Sequence, residues 1–449
     1  MQLSEVGSAA RPEWALPGIA ITSFCHGLIG ALTAYAGNCE VLIISAGPGS
    51  RLSAAEGHDG NRLMTMRATD ARDLSVRLDA LTSLRFFAAL AILIHHARGI
   101  LLPADTVYYL WPLDHGVSFF FVLSGFVLYF RYRDFSNAAD IRSFLVARVA
   151  RIWPAHIAAL ILLLLLLRPQ SIAMGTGPLI ANILMIHAWI PNASYFFGYN
   201  SVSWSISTEF GFYLMFPLIV WGFPSNWWAK LLAAAAALVG LILLCAIAQI
   251  PNFRAGYSET STLGILFVNP LARLFEFVVG MCAALAWLRY RPRLGSSAIL
   301  WTIAEGSALA LMLYYARFWH RTVVSLLSNS PLPVAIEWAY HASSCLAFAV
   351  VIFVLAKGSG YIGRLLSKWP LVFLGEISYS IYLFHQILIR SYQQDFTGML
   401  VPGIAMFLLF SVILIAISTA AYFAIERPAR TAIRKLDSIL RAGEDQVAT

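Results

Sequence analysis

Residues 82–102 read TSLRFFAALAILIHHARGILL. Apart from Arg85 and the group His95, His96 and Arg98, the run is apolar or small. It has the length of roughly 20 residues that a helix needs to cross about 30 Å of hydrocarbon. It predicts a membrane helix, and comparable runs follow it along the chain. They occupy 114–130, 152–168, 177–190, 204–222, 231–250, 268–288, 297–316, 337–356, 371–390 and 402–425. The run 177–190 is short for a crossing and contains Pro178 and His187.

Composition agrees with that reading. Of 449 residues, 59% are hydrophobic and 12% charged, against roughly half and a quarter in a soluble domain. An ordinary soluble enzyme, a disordered chain and a collagen-like repeat are excluded. The net charge of +8 comes from 31 Lys and Arg against 23 Asp and Glu. The basic residues fall between hydrophobic runs, where they mark cytoplasmic loops rather than a nucleic-acid surface. Cys25, Cys39, Cys245, Cys282 and Cys345 form no CxxC pair, so neither zinc nor a disulfide framework is expected.

Loop charge sets the topology. Segments 131–151, 289–293 and 357–368 and the C-terminal tail are basic and should be cytoplasmic, whereas 101–114 carries two Asp and should lie outside. These assignments agree only if 177–190 does not cross. The expected fold is all-α, a polytopic transmembrane helical bundle with about ten spans. Residues 1–76 are less regular, with Pro17, Gly37 and Glu40 interrupting an apolar stretch. They lack the basic start of a signal peptide. They read as one weak extra helix or as sequence ahead of the true start.

A charge at the centre of a span costs roughly 2.5–3.5 kcal/mol on insertion scales, so each needs a partner or a task. Arg85 and His96 are eleven residues apart, close to three helical turns and about 16 Å of rise. They share a helix face, Arg85 toward the cytoplasm and His96 in the outer half. His96 is either a packed, hydrogen-bonded histidine or a proton-transfer group. Arg148 and Arg151 share a face at a cytoplasmic mouth, as topology markers or as an anion clamp. The run Trp204 to Glu209 opens a span that starts outside, which sets Glu209 level with His96. The two would form an orienting pair for base chemistry, or a structural pair. Arg273 and Glu276, at i,i+3, neutralise each other. Ser378 to His385 brings another histidine into the outer half. Glu426-Arg427-Pro428 reads as a helix end at the inner face.

Taken together, these motifs resemble the acyltransferase family 3 membrane proteins, integral-membrane O-acyltransferases of which many modify surface glycans. The match runs in order over residues 78–430. Arg85 to His96 looks like the family's Arg–x10–His motif, and Phe119 to Phe126 like its FFVLSGF segment. Arg148 and Arg151 match its RxxR pair, and Trp204 to Glu209 its WSLSVE. Leu374 to His385 looks like LGxxSYSIYLxH, and Glu426-Arg427-Pro428 like the usual Glu-basic-Pro ending. Two departures stand out. Phe210 replaces a second Glu, leaving Glu209 alone, and no SGNH-type esterase domain follows residue 441.

The resemblance implies a membrane acyltransferase domain over 77–430, an extension at 1–76 and a cytoplasmic tail at 431–449. It implies acyl-CoA as donor, acetyl-CoA first, and no metal. The acceptor would be a hydroxyl of a glycan, a glycolipid or a small hydroxylated molecule. Membrane lipid and separate glycan-assembly proteins are the expected partners, and nucleic acid is not. His96, Glu209 and Arg85 would be catalytic, and Arg148 and Arg151 would hold the donor. Trp204, Ser207, Tyr379 and His385 would contact substrate. The protein would be a multi-pass protein of the inner membrane in a bacterium. The rival reading is a proton-coupled transporter or flippase using the same intramembrane His, Glu and Arg.

Overall fold

The structure, a computed structural model, describes residues 77–103, 113–168, 175–252, 259–290, 297–328, 330, 332–396 and 402–447. The expectations for residues 1–76 lie outside the described residues. Helices account for the architecture, and the only β pairing among the described residues is two isolated bridges. In chain order the helices that matter below are α1 (Asp79–Ala97), α2 (Gly116–Arg131), α3 (Ala138–Leu166) and α4 (Thr176–Ile183). They continue with α5 (Trp204–Val220), α6 (Phe223–Ile247), α7 (Pro270–Tyr290) and α8 (Ala298–Tyr314). The last six are α9 (Ile336–Ala342), α10 (Cys345–Leu355), α11 (Tyr361–Leu366), α12 (Trp369–Phe396), α13 (Ile404–Ala421) and α14 (Arg427–Val447).

Among the described residues, nine helical stretches are long and apolar enough to cross a membrane. Helix α5, at 17 residues, falls just short of that length. The run 177–190 does not form a membrane-length helix. It gives the eight residues of α4 and then a 3-10 turn at His187–Trp189. Leu165, Leu218, Ile247 and Val412 are exposed on the outside of the bundle, the surface that hydrocarbon covers.

Lipid gives no hydrophobic incentive for helices to associate, so close packing must hold them. Two glycine contacts do this. A Cβ on Gly125 of α2 would sit 1.9 Å from the Phe277 carbonyl oxygen of α7, and one on Gly280 of α7 would sit 2.0 Å from that of Val122. Backbone therefore touches backbone at this crossing. Helices α1 and α12 meet in the same way, with Gly375 against the Thr82 carbonyl. Near that crossing the Ser83 hydroxyl donates to the Leu366 carbonyl at the end of α11. Phe121, Phe126, Phe130, Phe212, Phe216 and Phe277 fill the core around the first crossing.

Segment 176–203 folds into a cap beside α5. Its buried polar groups satisfy one another. Asn182 accepts through its backbone oxygen from His156 at 2.9 Å, and Ser203 bonds His187 at 3.2 Å. Burial pushes the His187 imidazole down to about 3, so the ring is neutral. Ser207 of α5 accepts from the Ala188 amide and donates to the Met185 carbonyl, fastening the cap to the bundle. The aromatic residues of this segment contribute mostly to packing, with Phe196 and Tyr199 buried.

Candidate active site

Two of the polar groups meet where the C-terminal end of α1 lies against α12. Nδ1 of His385 lies 2.6 Å from the Tyr382 carbonyl oxygen, which can only accept, so that nitrogen carries hydrogen. In the neutral ring Nε2 of His385 is then an acceptor. It sits 3.0 Å from Nδ1 of His96, which must donate. The proton of His96 is thereby fixed on Nδ1, and Nε2 is left unprotonated. His385 is fully buried, whereas His96 is only partly so.

A partly open cavity, about 790 Å³ when its mouth is counted, lies further in. Its wall on α2 extends from Val117 to Leu128, which is about 16 Å of helix. Arg85, Arg148 and Arg151 face it with a single carboxylate, Glu209. Tyr382 and Phe120 also line it, their rings 6.1 Å apart. The Tyr382 ring is 5.7 Å from that of His385. One layer of side chains thus separates the cavity from the histidine pair.

The two arginines of the expected clamp differ. Arg151 forms an ion pair with the fully buried Glu426. Among the described residues Arg148 has no carboxylate within ion-pair distance. Its Nη2 donates to the Tyr132 hydroxyl at 3.3 Å, its guanidinium lies over the Tyr132 and Phe144 rings, and its buried Nε has no hydrogen-bond partner. Glu209 accepts from the Tyr213 hydroxyl at 2.6 Å and from Ser124 at 3.1 Å.

The expected pairing of Glu209 with His96 is not formed. Glu209 lines the cavity with Arg85 and is held there by Tyr213 and Ser124, while α5 starts against the packed cap. The imidazole partner of His96 is His385, not a carboxylate. Tyr379 lines the cavity and donates to the Ile152 carbonyl at 2.8 Å. Trp204 is buried against Phe121 and Phe267. Ser207 holds the cap. The sequence places Phe120 and Ser124 only within the Phe119–Phe126 run and Glu426 only in the Glu-basic-Pro helix end, and gives no sign of Tyr132.

The sequence profile of the family described as "Acyltransferase domain" matches residues 78–425, which include the cavity and both histidines. The chain belongs to this acyltransferase family. Acyltransferase MdmB of Streptomyces mycarofaciens is 31% identical over 345 residues, covering 70% of this chain and 80% of that protein. YrhL of Bacillus subtilis, named as a peptidoglycan O-acetyltransferase, is 26% identical over 374 residues, covering 79% of this chain and 55% of its own length. A Staphylococcus aureus protein named as an O-acetyltransferase is 24% identical over 377 residues, covering 79% of this chain and 57% of that protein. The chain thus spans little more than half of the latter two relatives. No solved structure matches. The family and the apolar helices make this a multi-pass membrane acyltransferase. Among the described residues no group of three or more His, Cys, Asp or Glu is placed to hold a metal ion.

Proposed function

We propose that the protein transfers an acyl group, acetyl in the first instance, from cytoplasmic acyl-CoA to a hydroxyl. The acceptor is an exported or cell-surface glycan, a glycolipid or a small hydroxylated molecule, and the setting is the inner membrane of a bacterium. The observation that carries this reading is one cavity reaching from Arg148 and Arg151 to within a side-chain layer of the histidine pair. An anionic donor end suits the arginines, and a narrow thioester arm suits a cavity wall about 16 Å long.

Nε2 of His96 accepts the proton of the acceptor hydroxyl as that oxygen attacks the thioester carbonyl carbon. Collapse of the tetrahedral adduct forms the ester and expels the CoA thiolate, which takes the proton back from His96. His385 fixes the tautomer and turns the ring. Arg85, in the cavity wall, neutralises negative charge on the donor. Glu209 holds Tyr213 and Ser124 in the wall beside it and limits the net positive charge. Tyr379 borders the donor, and Trp204 and Ser207 build the surrounding wall.

The test is label transfer from radioactive acetyl-CoA in membranes holding wild type or His96→Ala. Loss of general-base catalysis should lower transfer into polysaccharide or lipid fractions by about 10²- to 10⁴-fold at equal protein level. Undiminished transfer by His96→Ala would overturn the reading.

A further inference from the structure

Helix α14 lies beyond the residues matched by the family profile, yet it is fastened along α3 at two points. Glu426, just before α14, pairs with Arg151. Eleven residues later, Asp437 accepts from Ser143 at 3.1 Å and lies 3.5 Å from Arg142. The contacts run in opposite senses along the two helices, so α14 is antiparallel to the cytoplasmic end of α3. Arg430 and Arg434 fall between the two fastenings, as Arg148 does on α3. At i,i+4 the two share a face of α14. Both positive charges of Arg148 and Arg430 act on Arg434.

The acidic groups nearby are already engaged. Glu426 is held by Arg151, Asp437 by Arg142 and Ser143, and Glu376 by the Tyr422 hydroxyl at 3.2 Å. Among the described residues, Arg148, Arg430 and Arg434 have no carboxylate within ion-pair distance. Half-buried Arg148 and Arg430 and exposed Arg434 thus lie between the two clasps, where their like charges repel and an anion would relieve that repulsion.

We propose that Arg430 and Arg434 of α14, with Arg148 of α3, form the seat for the phosphate groups of the acyl donor. This rests on the acyl-CoA reading of the cavity. Arg151, neutralised by Glu426, then acts as the post that fixes α14, and Arg148 joins the seat to the cavity. A phosphate could also come from a lipid headgroup, and the experiment separates the two sources.

The measurement is donor binding to the purified full-length chain in phosphatidylcholine nanodiscs, by calorimetry. The ligands are acetyl-CoA and acetyl-pantetheine, which keeps the thioester arm without the phosphates. For R430Q/R434Q, Kd for acetyl-CoA should rise about 10-fold or more, the loss expected for charge-assisted hydrogen bonds to phosphate. Kd for acetyl-pantetheine should stay at the wild-type value, and R430K/R434K should recover part of the acetyl-CoA affinity. Unchanged acetyl-CoA binding overturns the proposal, as does an equal loss for both ligands, which would mark a packing defect. A loss that appears only in phosphatidylglycerol nanodiscs assigns the arginines to lipid headgroups and also overturns it. If wild type binds neither ligand, the donor reading itself fails, and this seat fails with it.

Discussion

Arg273 with Glu276 and Arg148 with Arg151 are both i,i+3 pairs on apolar helices, but the fold treats them in opposite ways. Arg273 and Glu276 are fully buried, joined Nε to Oε2 at 2.5 Å and Nη2 to Oε1 at 3.1 Å. Ser118 adds a hydrogen bond to the carboxylate, and the Phe121 and Phe267 rings flank the guanidinium. Neither is among the residues that line the cavity described above. Arg148 instead lines the partly open cavity, where it has only the Tyr132 hydroxyl as a hydrogen-bond partner among the described residues. Spacing and residue type are alike, so they cannot tell a sealed pair from an open one. What separates them is whether the carboxylate that closes the circuit is three residues away or absent.

That contrast can be broken by substitution. Glu276→Ala leaves Arg273 charged, buried and unpaired, and should lower stability by about 3–5 kcal/mol in thermal or denaturant unfolding. R273M/E276L should recover most of that loss, because it removes both charges together. Glu209→Gln in the open region should change stability by much less, and an equal loss there would erase the distinction. Next in size, His385→Leu should lower kcat by about 10- to 100-fold, part of the 10²–10⁴ that general-base catalysis contributes, with donor KM unchanged. His385→Gln should restore part of the rate, since its amide oxygen can accept from Nδ1 of His96. A purely structural His385 would give no such rescue. The smallest effect belongs to Arg142→Ala. Its ion pair with Asp437 involves a side chain that is 39% exposed, so unfolding stability should fall by less than about 1 kcal/mol.

Much of the fold was legible because bilayer thickness writes itself into run length. Residues 82–102 became Asp79–Ala97, and 371–390 became Trp369–Phe396. The short 177–190 run, which the loop charges required to stay on one side, indeed forms no membrane-length helix. Helix α3 was underestimated. Its first turns, from the Asn137 cap onward, are polar and leave no hydropathy signal. The site was harder to read. His96 and His385 were each noticed, but 289 residues separate them and nothing local announces their hydrogen bond. The same holds for Arg151 and Glu426, 275 residues apart. Polar composition likewise gives no sign that loop 176–203 packs, yet its Asn182, His187 and Ser203 are buried in a cap.

The glycine crossing of α2 and α7 lies on the face of α2 turned away from the cavity, with Val122, Gly125 and Phe126 against α7. Val117, Phe120, Ser124 and Val127 line the opposite face. A helix pinned backbone-to-backbone on one side cannot retreat to admit a bulkier guest on the other. The cavity is therefore a gauge with a fixed rule, and its calibration resides in side chains. Enlarging or trimming residues 117 and 120 would reset what it admits, with the helix axis left where it stands.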